Sequence, residues 1–201
     1  MNGIKRTVKM GSRETILQTI KQNKPEAMPL LPLPSFSKLT DNPLQTFVDT
    51  LTSIGGFAVV HDIERLKAFL LEQKQKDVII INGIQGMEDC NMSSFKDHKA
   101  ADLETVDTVV LKGRIAVAEN GAIWLSDKDI VNRSLPFICE HLIIVIDEAS
   151  IVETMHQAYE KITIDEEGYG VFIAGPSKTA DIEQSLVVGA HGPLSLQVYI
   201  V

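Results

Sequence analysis

Apolar positions along this chain alternate between two spacings, and each change of spacing marks a change of element. Ile16, Leu17 and Ile20 repeat at helical spacing over residues 12–23, with Ser12 placed to cap the start. Pro25, Pro29, Pro32 and Pro34 follow, so this stretch is neither helix nor central strand. It is expected to be an extended arm whose Met28, Leu30, Leu31, Leu33 and Phe36 dock on a surface. Asn42-Pro43 opens a second helix carrying Leu44, Phe47, Val48, Leu51 and Ile54, and Gly55-Gly56 ends it. Asp62 is the expected cap of a third, bearing Leu66, Phe69 and Leu70. Short apolar runs at 57–61, 77–81, 109–111, 115–118, 122–125, 142–146, 170–174 and 196–201 predict strands. Residues 82–99 read as loop with a short helix. Residues 150–162 read as a helix with Ile151, Val152, Met155, Ala158 and Ile162 turned inward.

Strands that alternate with helices and carry few polar interruptions predict an α/β sheet with parallel strands. No internal repeat or low-complexity tract is visible. The expected organisation is an N-terminal helix and proline-rich arm over 1–41 and one larger domain over 42–201. A length of 201 residues, with 44% apolar and 23% charged side chains, suits an ordinary globular core. The net charge of −8 argues against general binding to nucleic acid or anionic membranes. The longest apolar runs are too short to span a bilayer. The N-terminus has no apolar segment of the secretory kind, so a cytoplasmic protein is expected. Cys90 and Cys139 lie far apart and do not make the multi-thiolate set of a typical iron–sulfur cluster. Both are expected to act as small, buried or semi-buried apolar residues.

The densest chemistry lies near the C-terminus. Gly175, Pro176, Ser177, Lys178, Thr179, Asp181 and Glu183 fall within nine positions, and Gly189, His191, Gly192 and Pro193 follow. Glycines allow close backbone approach, and hydroxyls, a lysine and free N–H groups can cradle an anion. A capped turn with solvated carboxylates would read in the same way. Glu119, in Ala118-Glu-Asn-Gly-Ala122, is either part of a hairpin turn or a site carboxylate. His191 is either structural or a general acid–base group. His61, at the end of its strand, has only a positional argument for function. His98 and His156 read as surface residues, and Asp165-Glu-Glu167 as a solvated loop. No metal site is expected. The chain lacks the G-x-G-x-x-G, P-loop and G-x-S-x-G patterns.

The wording GPSKTADIE followed by GAHGP closely resembles the C-terminal signature of the LUD domain family of lactate-utilisation proteins and, within it, the small proteins of type C. The resemblance is firmest from Ala116 to Val201. It implies a three-layer Rossmann-like sheet of the NagB/RpiA/CoA-transferase-like type. It also implies a role in oxidising L-lactate to pyruvate beside partner proteins that carry the iron–sulfur clusters, with no cofactor in this chain. A small anionic ligand, a hydroxy acid or a phosphorylated compound, would occupy Gly175, Ser177, Lys178, Thr179, Asp181 and Glu183, with Glu119 and His191 as catalytic groups. The Glu119 step is similar to the glutamate–asparagine–glycine step of family I CoA-transferases, whose carboxylate forms an acyl intermediate. His141 resembles a family histidine at a strand entry, and its expected job is structural. Leu194 stands where the family often has a basic residue after HGP. An independent acyl- or CoA-transferase-like enzyme and a non-catalytic anion-binding scaffold are the alternatives.

Overall fold

The computed structural model describes residues 11–26, 28–29, 39–76, 78–87, 90–163, 168–179 and 187–201. The chain forms two units, Met1–Phe36 and Ser37–Val201. In the first, helix α1 spans Ser12–Gln22. Its cap is Gly11, which makes no side-chain bond, so Ser12 is the first helical residue and not the cap. Its apolar residues Ile16, Leu17 and Ile20 are exposed. The expected docking of the arm falls mostly on residues 30–38, outside the described residues.

The second unit is built on a parallel sheet. Its strands are β1 (Phe57–Val60), β2 (Ile79–Asn82), β3 (Val106–Lys112), β6 (His141–Ile146) and β9 (Ser195–Ile200), in the order β1-β9-β6-β3-β2. A second sheet has the order β7-β4-β5-β8, from β4 (Ile115–Val117), β5 (Ile123–Ser126), β7 (Ile151–Val152) and β8 (Gly170–Ile173). Helices α2 (Pro43–Ser53) and α3 (Ile63–Gln73) start as expected: Asn42 accepts from Gln45 N and Asp62 from Arg65 N. Two shorter helices are α4 (Leu135–Ile138) and α5 (Met155–Lys161).

Alternation along the central strands sorts their side chains into two cores. Val109, Leu111, Leu142, Ile144, Ile146, Val198 and Ile200 face Phe47 and Leu51 of α2 and Ile123 and Leu125 of the second sheet. Val110, Ile143, Val145 and Tyr199 face Leu66, Phe69 and Leu70 of α3. Val117, Trp124 and Val152 form a third cluster with Met155 and Ala158 of α5. The α/β class with a parallel central sheet is as expected. The second sheet, which covers one face and pairs antiparallel along β4-β5-β8, departs from the all-parallel reading.

The run at 150–162 is corrected. It begins with a 3₁₀ turn at Glu148–Ser150, continues as strand β7 and becomes helix only at Met155. Ile151 and Val152 are β-branched and find a parallel partner in Ala116 and Val117. Thr154 and Gln157 then form a capping box that starts α5. The cysteine reading holds for Cys139, which is buried, and fails for Cys90, which is exposed beside its bridge to Asn82.

Gly113 carries the chain from the parallel sheet into the second. A Cβ there would lie 2.7 Å from Ile123 Cγ2 and 3.0 Å from Ile144 Cγ2. Replacing Gly113 by Ala should cost about 1–3 kcal/mol through overpacking. Urea unfolding of the variant reads this directly, and an unchanged midpoint would show that the sheets part easily at this crossover.

Candidate functional site

The segment after β8 folds into a clasp with the segment before β9. Gly175 turns with φ +75°, and a Cβ on it would lie 2.8 Å from Ile54 O, so this close approach requires glycine. Ser177 N donates to Pro193 O (2.8 Å), and Gly189 N donates to Ser177 O (3.0 Å). Thr179 N donates to Val187 O (3.1 Å), and Val187 N returns a bond to Thr179 Oγ1 (3.2 Å). Gly192 packs on Ser177, where a Cβ would stand 3.1 Å from Ser177 Cβ. The two halves of the motif therefore meet in space.

This arrangement divides the expected ligand-binding residues. Lys178 donates from Nζ to Ile54 O at 2.6 Å, so its charge sits at the carboxyl end of α2, the negative pole of that helix. Among the described residues it makes no other bond, which leaves two of its three ammonium donors. Thr179 Oγ1 already accepts a bond within the clasp. The Ser177 hydroxyl and the exposed His191 ring make no hydrogen bond to the described residues. Asp181 and Glu183 lie outside the described residues, as do Asp165, Glu166 and Glu167.

Glu119 stands in the β4–β5 hairpin, where Gly121 has φ +68° and Asn120 Oδ1 accepts from Ala122 N. Its Oε1 accepts from Met155 N at 2.7 Å, the first residue of α5, and its own N–H donates to Glu153 O. The carboxylate is thus anchored on a helix start. The hairpin and the clasp lie at the same end of the second sheet, because β4 and β8 run in the same direction across β5. Both touch Ile54: a Cβ on Gly121 would lie 2.9 Å from Ile54 Cδ1, and one on Gly175 3.5 Å from the same atom.

The clasp lies at the amino edge of the parallel sheet, where Leu194 N donates to Glu140 O just before β9 and β6 begin. β9 runs parallel to β1 and β6, so the chain must enter it from the amino edge, and the HGP turn comes with it. His141 opens β6 there, with Nδ1 2.8 Å from Ser195 Oγ.

The carboxyl edge holds groups that sequence reasoning passed over or ranked low. His61 has φ +55°, with Nε2 2.5 Å from Glu148 Oε2. An open cleft of about 520 Å³ is lined by Lys112, Gly113, Arg114, Asp129, Asp147 and Ser150, and Arg114 pairs with Asp129. Two other cavities, of about 580 and 510 Å³, lie against α3 and beside Arg133. None of the three is lined by Glu119, Ser177 or His191. Burial pushes the Cys139 thiol up to about 12, so it stays protonated at neutral pH.

A sequence model of the LUD domain matches residues 13–201. The chain belongs to the LUD domain family. Lactate utilization protein C of Deinococcus radiodurans is 29% identical over 198 residues, covering 93% of this chain and 92% of that protein. The protein of the same name from Geobacillus thermodenitrificans is 34% identical over 107 residues, 49% of this chain and 43% of that protein. The one from Bacillus pumilus is 40% identical over 84 residues, 39% of this chain and 35% of that protein. A crystal structure of a DUF162 family protein from Deinococcus radiodurans superposes with a TM-score of 0.56 at 20% identity, over 79% of this chain and 96% of that one. That likeness supports the fold. Within this LUD domain no described helix is long and apolar enough to cross a membrane.

Glu119→Ala should destabilise the domain by about 0.5–1.5 kcal/mol, the worth of one hydrogen bond, because Met155 N loses its acceptor. Glu119→Gln keeps an acceptor oxygen and should melt close to the parent. Equal losses in both variants, read by thermal unfolding, would show that the anchor contributes through charge.

Proposed function

We propose that this chain is the LUD-domain component of a cytoplasmic system that oxidises L-lactate to pyruvate together with iron–sulfur partner proteins. The observation that carries this reading is the near end-to-end correspondence with a lactate utilization protein C, 93% of one chain against 92% of the other. Lactate oxidation releases two electrons and two protons. With two cysteines, one buried, this chain lacks the usual thiolate set for a cluster, so on this reading the electrons pass to the partners. The chain contributes a pocket for a small anion, a hydroxy acid or a phosphorylated compound.

The uncommitted groups of the clasp support that assignment. Among the described residues, Ser177 Oγ and the remaining donors of Lys178 face no competing acceptor, and they suit a carboxylate or phosphate. On this reading His191 takes the proton from a bound hydroxyl. Glu119 holds the start of α5 beside the same edge and, on this reading, shapes the site without forming a covalent bond.

The purified chain should be colourless and should not reduce an artificial acceptor with L-lactate. Lactate-dependent turnover should appear on addition of the iron–sulfur partners. Substantial turnover by the isolated chain would overturn the partner-dependent reading. In the reconstituted system, Ser177→Ala should raise KM for the anionic substrate by roughly 2- to 12-fold, the equivalent of about 0.5–1.5 kcal/mol, with folding unchanged. An unchanged KM would move the pocket away from the clasp.

A further inference from the structure

We propose that Asp107, Glu140 and His141 form a divalent-cation site at the amino edge of the parallel sheet. Their ligand atoms all lie within 4.8 Å of one another. Asp107 lies in β3, His141 opens the neighbouring parallel strand β6 with Glu140 just before it, and Thr108 is registered with His141. Side chains bound to one ion at about 2.0–2.2 Å stand about 3–4.4 Å apart, so small rotations complete the set. One imidazole and two carboxylates make a mixed nitrogen and oxygen donor set. That set suits Zn²⁺, Mn²⁺ or Co²⁺ better than Ca²⁺ or Mg²⁺, which prefer oxygen alone.

Two observations outside the trio point the same way. The first is charge. Two carboxylates converge here, and among the described residues neither is paired with a lysine or arginine. Elsewhere Asp127 and Asp129 are each paired with an arginine. A divalent cation supplies the missing positive charge. The second is orientation. His141 Nδ1 is 2.8 Å from Ser195 Oγ, and the fully buried Thr108 hydroxyl donates to Asp107 Oδ1 at 2.6 Å. Metal-bound histidines and carboxylates are characteristically held by such outer partners, which set ring orientation and leave one lone pair for the ion. Glu140 is exposed and His141 half-buried, so the remaining coordination positions open to solvent or to a chelating ligand.

The site is independent of the lactate reading, and its test uses metal binding alone. The full chain, stripped with a chelator and titrated with Co²⁺ or Zn²⁺ by calorimetry, should bind one cation per chain. Glu140→Gln and His141→Ala should each weaken binding at least ten-fold, and Ser195→Ala should weaken it less. His61→Ala should leave it unchanged, although His61 pairs with Glu148 at the opposite edge. Glu140 is exposed, so its variant keeps the test valid if His141→Ala fails to fold. Anomalous scattering from Co²⁺-soaked crystals should place the ion between β3 and β6. Absence of binding at millimolar cation, binding retained in Glu140→Gln, or an ion found at His61 would overturn the proposal.

Discussion

A parallel sheet must be entered from one edge by every one of its strands, and much of this domain's chemistry follows from that constraint. β1, β9, β6, β3 and β2 all point the same way. The chain therefore returns to the amino edge before each strand, through crossovers that need space and cover. Ile54-Gly55-Gly56, Cys139-Glu140 and Pro193-Leu194 are three such returns, and they meet there. The contacts that join them are backbone bonds, such as Leu194 N to Glu140 O, and a lysine capping a helix end.

The second sheet is the other half of the design. It shields one face of the parallel sheet with Ile123 and Leu125, while α3 shields the opposite face. β4 and β8 end at the edge where the parallel strands begin, so the Glu119 hairpin and the Gly175 turn reach the same place by separate routes. Ile54, at the end of α2, lies between them. Small residues are required wherever these turns approach α2. Gly175 and Gly121 both have positive φ and leave no room for a side chain against Ile54.

Much of the motif that looks like an anion cradle in sequence is committed to holding itself together. Lys178 caps α2, Thr179 closes the clasp and the Ser177 amide bonds Pro193. Among the described residues the groups left over are the Ser177 hydroxyl, the His191 ring and the spare donors of Lys178. Structural and ligand-binding roles coexist in one segment, because a lysine has three donors and a hydroxyl is independent of its own backbone.

Local pattern was enough to read α2 and α3 with their caps at Asn42 and Asp62, the central strands and the LUD signature. These depend on capping, periodicity and residue order within a few positions. The strand at Ile151–Val152 was not legible. Its apolar spacing also fits a helix, and only pairing with Ala116 and Val117 decided between the two. The exposure of Cys90, the docking of Lys178 on Ile54 and the anchoring of Glu119 on α5 likewise depend on partners 36 or more residues away in the latter two cases. The convergence of Asp107 with Glu140 and His141 is the clearest instance. Asp107 is far from Glu140 and His141 in the chain, and the pairing of β3 with β6 brings them together. Sequence by itself determined most of the elements, the family and the list of reactive side chains. Tertiary structure decided which edge they occupy and which of them remain free, because pairing between distant strands is set by the burial of whole faces and not by any local residue pattern.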